Sequence, residues 1–449
     1  MQFEITTDFI KKVESLIAAK NANEVLLIFK DMHPADIADV LDEINFDEAV
    51  FIIRLLDSET TSDILEELEE DTREKVLNAL SSKEIAKEID ELETDAAADI
   101  ISELPEERKE RVIAQLEDKE HAKDIVDLLR YDEDTAGGLM GKEMVAVNEN
   151  WTVLRCVKEM RIQAEELGEV YMVYVIDNDD VLKGRLSLKS LLTTSTRSLV
   201  KDIYIPEIHF VKAKQHADEV AQLMQKYDLF VVPVVNELNH LIGNITLDDV
   251  VDHIREEADK DYQMAAGLTD DVEADDSIFE LIKGRLPWLV LGLFGGLFSV
   301  LIMSKFDEAL IANKELFFFA PLIAAMAGNV GVQSSAIIVQ GLANNIIKGS
   351  MWQRLLKELS LSLLNGLVLS ILVVFFSYLF GLSWMFSLTV GFSLIVVIIT
   401  AALVGTFVPI ILDKKGIDPA LATGPFITTS NDIFGIFIFF YLAKILLEF

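Results

Sequence analysis

Long apolar runs, confined to the C-terminal part of the chain, constrain its fold most strongly. Five of them fall at about 287–304, 316–344, 356–381, 384–412 and 424–447 of the 449 residues. A helix needs roughly 20 mostly apolar residues to cross about 30 Å of hydrocarbon. Because lipid cannot hydrogen-bond exposed backbone, only helices and closed barrels span it. The sequence therefore predicts a membrane domain of five transmembrane helices at 287–449.

The charge of the protein lies in the other part of the chain. Eight basic and eight acidic residues balance within 287–449, so residues 1–286 hold the whole formal net charge of −36. Such an acidic surface excludes nucleic acid as a partner, because nucleic acid requires a basic footprint. It suits cations, and a merely solvated acidic face is the alternative interpretation.

The cysteine count, the N-terminus and the positions of the basic residues predict the cellular location and the membrane orientation. Cys156 is the single cysteine, which is typical of a reducing cytosol, and the N-terminus lacks an apolar signal segment. Lysine and arginine should concentrate on cytoplasmic flanks. We therefore expect a bacterial inner-membrane protein with cytoplasmic N-terminal domains and the C-terminus outside. The predicted inner flanks carry Lys283, Arg285, Lys348, Arg354, Lys357, Lys414 and Lys415.

Residues 1–130 carry a recurring helical phrase. ADIADVL at 35–41 is followed by SDILEEL at 62–68, AADIISEL at 97–104 and AKDIVDLL at 122–129. Short repeats of this kind bury their apolar faces on their neighbours. We predict an acidic helical domain in the form of a superhelical stack, followed by a linker at 131–142.

Residues 143–262 contain an internal duplication. VYVIDNDDVLKGRLSLKSLL at 173–192 aligns with VVPVVNELNHLIGNITLDDVV at 232–251. In each copy a helix precedes β-branched strands, and a second helix follows them, so the pattern predicts a compact α/β module repeated twice. The pattern resembles a pair of CBS domains, with the first at 143–201 and the second at 202–262.

An acidic connecting helix is predicted at 248–283, overlapping the end of the second module. Asp249, Asp252, Glu256 and Asp259 are spaced three and four residues apart, so they share one helix face. Like charges at this spacing repel one another, and a divalent cation would relieve the repulsion. A solvated helix face is the alternative.

The second apolar run contains unusual residues for a membrane helix, in PLIAAMAGNVGVQSSA at 321–336. Gly328 and Gly331 permit close backbone approach, while Asn329 and Gln333 supply amide oxygens. Polar groups at this depth line a water-filled cavity or join helices. We favour a pore, and packing between helices is the alternative.

The fifth run begins DPALATGPFITTSND at 418–432. Pro425 interrupts the helix, and Thr428, Thr429 and Asp432 follow it, with Thr428 one turn before Asp432. Hard divalent cations take oxygen ligands, and the membrane domain contains neither His nor Cys for softer metals. A hydrogen-bonded Asp432 or a proton-relay acid are the alternatives.

Catalytic motifs are not found in the sequence. The six histidines are scattered through the N-terminal part, and no Walker motif is present for an ATP-driven pump. We therefore do not expect an enzyme.

At full length the chain resembles the MgtE family of bacterial magnesium channels and transporters. DTAGGLM, VPVV, GNITLDDVV, PLIAAMAGNVGVQ and DPALATGPFITTSND carry the resemblance. It implies a homodimer that conducts Mg²⁺ through a pore on the two-fold axis. It implies an ion site at Asp432, Gly328, Asn329 and Thr428, and we place Gly331, Gln333, Thr429 and Pro425 along the pore.

The resemblance also implies gating by cytosolic Mg²⁺, held between carboxylates that repel one another when it leaves. The matching positions are Asp95, Asp99, Asp218, Asp228, Asp249, Asp252, Glu257 and Asp261.

The sequence departs from the family pattern at several positions. Val332 and Gly424 stand where some members have asparagine, and His216 replaces an acidic sensor residue, as does Lys260. Ser190 follows Lys189 where some members have aspartate, so we expect the CBS pair to bind ATP weakly or not at all.

The predicted function is passive, magnesium-gated Mg²⁺ uptake. Two other interpretations stay open at this stage. One is a membrane-anchored metal sensor without transport, and the other is an exchanger that couples the metal to protons or sodium.

Overall fold

The computed structural model describes residues 5–165, 167–269, 272, 276–307, 311, 313–343, 347, 350–422 and 424–447. The chain folds into two compact units, residues 1–254 and residues 255–449. Lys348, assigned above to an inner flank, lies outside the described residues.

Ten short helices form the N-terminal part of the first unit. Several of these helices begin where a side chain accepts a hydrogen bond from a backbone N–H group of the first turn, which has no partner within the helix. Asp57 and Asp118 each cap a helix in this way, and Ser81 forms a capping box with Glu84. The helices are α1 Thr7–Ala18, α2 Ala22–Phe29, α3 Pro34–Glu43, α4 Phe46–Ile53, α5 Ser58–Glu67, α6 Glu70–Ala79, α7 Ser82–Ile89, α8 Thr94–Ser102, α9 Glu106–Ile113 and α10 Lys119–Leu128.

These helices stack on their second neighbours, since α3 packs on α5, α5 on α7, and α7 on α9. Each contributes fully buried aliphatic side chains such as Ile37, Ile64 and Ile85 to one continuous core. Arg73 joins Glu103, thirty residues further along, at 2.5 Å. The predicted helical stack is confirmed.

Two copies of one α/β module follow, and both have the same topology. In the first, β1 (Val145–Asn148) pairs in parallel with β2 (Val173–Ile176), which pairs antiparallel with β3 (Leu182–Leu186). The second repeats this order with β4 (Val211–Lys212), β5 (Val231–Val235) and β6 (Leu241–Thr246). The flanking helices are α11 Val153–Gln163, α12 Leu188–Thr193, α13 Ala217–Tyr227 and α14 Leu247–Ala266.

The segment predicted as a linker is fixed to the second module by backbone hydrogen bonds. Ala136 N donates to Gln215 O at 2.8 Å, and Gly141 exchanges two bonds with Asn244. Because of this backbone pairing, the 131–142 segment follows a defined path beside β6. It connects the helical stack to the α/β modules.

The five predicted membrane helices are present, each long and apolar enough to cross a bilayer. The first and third begin earlier than the apolar runs, because the helices continue into polar flanks. They are α15 Ile278–Ser304, α16 Glu315–Ala343, α17 Met351–Leu379, α18 Trp384–Lys414 and α19 Gly424–Leu446.

Small residues let these membrane helices approach closely, as expected where lipid provides no hydrophobic drive for association. Ser377 and Ser387 join α17 to α18 at 2.9 Å. A side chain on Gly405 would collide with the backbone of Gly331, so α18 lies directly against α16. The membrane core therefore centres on α16, α18 and α19.

Candidate functional site

Asp432 is partly buried on α19 and faces α16. Its Oδ1 lies 3.4 Å from the point where a Cβ would stand on Gly328, and the Thr428 methyl lies 3.1 Å from that point. A side chain at Gly328 would crowd the Thr428 methyl, so glycine favours this close approach of α16 to α19. Thr428 Oγ1 donates to the Gly424 carbonyl at 3.0 Å. The structure thus brings three of the four predicted pore-site residues together.

The fourth predicted residue, Asn329, lies on a different face of α16. It is exposed in the single chain, as is Gln333 one turn later, whereas Gly328 and Gly331 are buried. Two neighbouring exposed amides on a membrane helix are costly in hydrocarbon. This face therefore requires water or protein beside it.

Thr429 and Pro425 lie away from the carboxylate. The Thr429 methyl fills the space beside Gly295 on α15, so this side chain packs between helices. Pro425 is the second residue of α19, a position where a missing N–H costs nothing. It therefore begins the helix and does not kink it. Their assignment to the pore stays a prediction.

Sequence reasoning missed Asn431, which precedes Asp432. Its side chain is 1% exposed and occupies the space left by Gly331. Neither of its amide atoms makes a hydrogen bond within the described part of the chain. A buried amide in this state is destabilising by roughly 1–3 kcal/mol, so we look for its role in function rather than in packing.

An acidic cluster occupies the first unit, where α8 meets the 131–142 segment. Carboxylate oxygens of Glu93, Asp95 and Glu143 lie within 4.8 Å of one another. Glu143 is held by Thr94, which donates from its backbone N at 2.9 Å and from its hydroxyl at 2.8 Å. A side chain on Gly141 would meet Asp95 Oδ2 at 2.7 Å, so glycine admits the carboxylate here.

Burial raises the pKa of Asp95 well above its ordinary value, and the charges of Asp249 and Glu143 raise it further. Burial also raises the pKa of Asp249, although Thr246 stabilises its charged form through two hydrogen bonds. The predicted sensor residues Asp95 and Asp249 are thus electrostatic neighbours despite their distance in sequence. Because the two carboxylates repel each other when both are charged, a divalent cation bound between them would relieve that repulsion.

The other predicted sensor residues belong to α8, α13 and α14 or lie at their ends. Asp218 lies in the first turn of α13, and Asp228 is the residue that follows its last turn; ten residues of α-helix separate them by about 15 Å. Asp99 and Asp252 are exposed, whereas Glu257 and Asp261 are partly buried further along α14. Glu257 pairs with Lys260 at 3.1 Å. The role of these residues stays a prediction.

Glu93 and Glu143 were not predicted. Glu143 reaches Thr94 across 49 residues of sequence, a contact that no helical or strand period indicates. On α14, Asp252, Glu256 and Asp259 of the predicted acidic stripe are exposed and Asp249 is partly buried, while the buried face carries Val250 and His253.

Taken together, an acidic helical domain, a tandem CBS pair and five membrane helices around a carboxylate define a class of integral membrane protein that handles divalent cations. Family models match all three parts: "MgtE intracellular N domain" at 32–134, CBS domains at 136–196 and 200–256, and "Divalent cation transporter" at 320–442.

Two curated relatives are similar over most of their length. The "Magnesium transporter MgtE" of Thermus thermophilus is 37% identical over 324 residues, 72% of each chain. The protein of the same name from Bacillus subtilis is 36% identical over 317 residues, 70% of each chain. The chain belongs to the MgtE family of divalent cation transporters, and it is embedded in the membrane.

A solved structure is similar to about half of the chain. It is the cytosolic domain of the Mg²⁺ channel MgtE in complex with ATP, with a TM-score of 0.51 and 30% identity, covering 54% of this chain and 99% of that one. The predicted fold class, a helical N-terminal domain with a CBS pair and five apolar helices, is confirmed.

Proposed function

We propose that this protein is a passive, Mg²⁺-selective channel gated by cytosolic Mg²⁺. One observation carries the proposal: Asp432 lies against Gly328 and Thr428 between two membrane helices. The site combines one carboxylate with hydroxyl and carbonyl oxygens, which are ligands that Mg²⁺ accepts while keeping part of its hydration shell. Family membership and the names of the relatives support the same cargo.

We further propose that two chains form the pore. Asn329 and Gln333 are exposed on one face of α16 in the single chain. Placing that face on a two-fold axis would cover the amides and line a wet path with them, which lowers their cost in the membrane. Entry of the cation would be driven by about 2.3 kcal/mol per charge for each 100 mV of membrane potential.

Gating is assigned to the acidic cluster and α14. Asp95, Glu143 and Asp249 repel one another in the first unit, so loss of a bound cation should drive them apart. Within the second unit the end of α14 touches the start of α19, through Gly267 and Pro425. Movement of α14 would therefore reach the helix that carries Asp432.

This assignment gives each part of the chain a role. The helical domain at 1–130 would sense magnesium together with the CBS modules at 143–201 and 202–262, and the 131–142 segment would join it to them. The connecting segment at 248–283 would transmit the signal. The membrane domain at 287–449 would conduct the ion. We also propose the inner-membrane location with the C-terminus outside, and no enzymatic activity.

A flux assay tests the proposal. Purified protein in liposomes should admit Mg²⁺ without a proton or sodium gradient, and Asp432→Asn should abolish this flux. Asp413→Asn, an exposed carboxylate at the end of α18, should conduct normally. Flux that requires a counter-ion gradient would favour an exchanger, and the absence of any flux from the wild type would favour a sensor.

Competing cations in the same assay address selectivity. The measured quantity is the entry of a labelled Mg²⁺ tracer. Ca²⁺, Mn²⁺ or Co²⁺ added outside should reduce this entry less than the same concentration of unlabelled Mg²⁺ does. Equal competition by Ca²⁺ would contradict Mg²⁺ selectivity while leaving the pore assignment intact.

A further inference from the structure

Two carboxylates fall within the five apolar runs of the sequence, and the transport proposed above uses one of them, Asp432. The other is Glu358, which is partly buried on α17. It lies about 10 Å along the helix axis from Met351, at the rise of an α-helix. Carboxylates inside membrane helices are costly, and they mark functional positions more often than structural ones. The position of Glu358 therefore requires an explanation.

Glu358 is turned toward a neighbouring helix. Ser334 Oγ, on α16, donates to Glu358 Oε1 at 2.7 Å. Hydroxyl groups that donate to a charged carboxylate do so at roughly 2.5–2.7 Å, and such bonds are about twice as strong as neutral ones. Ser334 is 5% exposed. The charged group of α17 is thus held by a buried hydroxyl of α16.

The hydroxyl of Ser334 is used in an unusual way for a membrane helix. Serine and threonine within helices commonly donate to the backbone carbonyl four residues earlier. Thr389, Thr400 and Thr428 all do this here, at 2.9–3.0 Å. Ser334 donates across to another helix instead, so its hydrogen bond fixes the position of one helix against another.

The bond closes a group of three helices. Both α16 and α17 pack along α18, and the side chains of Ser334 and Glu358 join α16 to α17 directly. On α16, Ser334 lies about 9 Å along the axis from Gly328. Between them is Gly331, whose backbone lies against Gly405 of α18. The helix that carries Gly328 is therefore anchored to both α17 and α18.

We propose that Glu358 is a positioning residue for cation selectivity: through Ser334 it fixes α16, so that Gly328 stays in contact with Asp432. This inference rests on the proposed function. Mg²⁺ requires near-ideal octahedral geometry with bonds of about 2.0–2.1 Å, whereas Ca²⁺ accepts six to eight ligands at about 2.3–2.6 Å. A site whose wall is no longer anchored should therefore accept Ca²⁺ more readily.

Competition by Ca²⁺ in liposomes tests the proposal. The measured quantity is the Ca²⁺ concentration that halves the entry of a labelled Mg²⁺ tracer, relative to the unlabelled Mg²⁺ concentration that does the same. Ser334→Ala and Glu358→Leu should each lower this ratio several-fold. Glu358→Gln should stay close to the wild type, because its amide oxygen still accepts from Ser334.

Ser360→Ala is the matched control. Ser360 is an exposed serine of α17 whose hydroxyl donates to the Leu356 carbonyl of its own helix at 2.9 Å, and its loss should leave the ratio unchanged. The ratio compares two cations on the same folded channels, so a variant that merely lowers the amount of folded protein reduces tracer entry without changing it.

Three outcomes would contradict the proposals, and they differ from one another. An unchanged ratio in Ser334→Ala, with a conducting wild type, would overturn the positioning role. A Glu358→Gln ratio as low as that of Glu358→Leu would overturn it too, because the charge and not the hydrogen bond would then be responsible. Absence of Mg²⁺ entry in the wild type would overturn the proposed function itself.

Discussion

Gly267, at the end of α14, lies directly against Pro425, at the start of α19. Gly267 adopts a φ of +86°, and a Cβ there would enter the proline ring; the neighbouring Gly424 packs against the Ala265 backbone in the same way. The acidic helix and the helix that carries Asp432 therefore touch through two glycines, with no flexible side chain to absorb a displacement. This junction connects α14 directly to the helix that carries Asp432.

Substitution at this junction should change transport. Gly267→Ala forces a methyl group against Pro425 and should alter the Mg²⁺ concentration at which flux through liposomes is half inhibited. Gly416→Ala is the matched control, because Gly416 also has a positive φ, +68°, but open space around it. Both variants incur a left-handed penalty of roughly 1–2 kcal/mol, so a common effect on transport would show that strain alone is responsible.

The close approach of Gly328 to Asp432 gives a second prediction. Gly328→Ala places a methyl group 3.4 Å from Asp432 Oδ1 and 3.1 Å from the Thr428 methyl, so we expect Mg²⁺ flux to fall with little loss of protein from the membrane. Gly292→Ala, which meets nothing within 4 Å, should conduct as the wild type does. Normal flux through Gly328→Ala would place the conducting path elsewhere.

Asn431 offers a test that separates stability from function. Replacing a buried amide that makes no hydrogen bond with an apolar side chain of similar size is neutral or stabilising. Asn431→Leu should therefore melt at the same or a higher temperature, and it should reduce flux if the amide serves the adjacent Asp432. Asn365→Leu, at an exposed position of α17, should leave flux unchanged. A clear loss of thermal stability in Asn431→Leu would assign the residue a structural role.

Buried carboxylates of the first unit predict a pH dependence of stability. Burial raises the pKa of Asp95 and Asp249, and it raises the pKa of Glu66 to about 7, with the charges of Glu67 and Asp63 adding to the effect. A raised pKa means that the folded state binds protons more tightly than the unfolded state, so stability is present at low pH and is lost as the pH rises from about 4.5 to about 7.

The full-length protein without Mg²⁺ should therefore melt at a higher temperature near pH 5 than near pH 8. Saturating Mg²⁺ should flatten this dependence, because the cation stabilises the charged carboxylates. Asp95→Asn should flatten it as well. A pH dependence that is identical with and without Mg²⁺ would separate the cluster from cation binding.

Much of the architecture follows from local patterns in the sequence. The apolar runs predict the membrane helices, and the duplication predicts two modules of equal topology, because each pattern is a property of neighbouring residues. The boundaries of α15 and α17 differ because helices extend beyond the hydrocarbon-soluble residues into charged flanks.

Contacts between distant segments could not be predicted in this way. Glu143 meets Thr94 and His253 meets Asp218 only after the modules fold, and these side chains carry no periodic signal of their own. Asn431 was overlooked for a different reason: Asp432 beside it offers a stronger chemical signal, while burial and the space left by Gly331 are properties of packing.

The exposed amides of α16 bear on the biogenesis of the protein. If two chains assemble as proposed, a newly inserted subunit would present Asn329 and Gln333, exposed in the single chain, to acyl chains before it meets a second copy. On the proposed dimer, an orphan subunit is therefore chemically distinct from an assembled one, and membrane quality control has a feature by which to recognise it. The residues that would hydrate the path of the ion would thus also mark unassembled chains for removal.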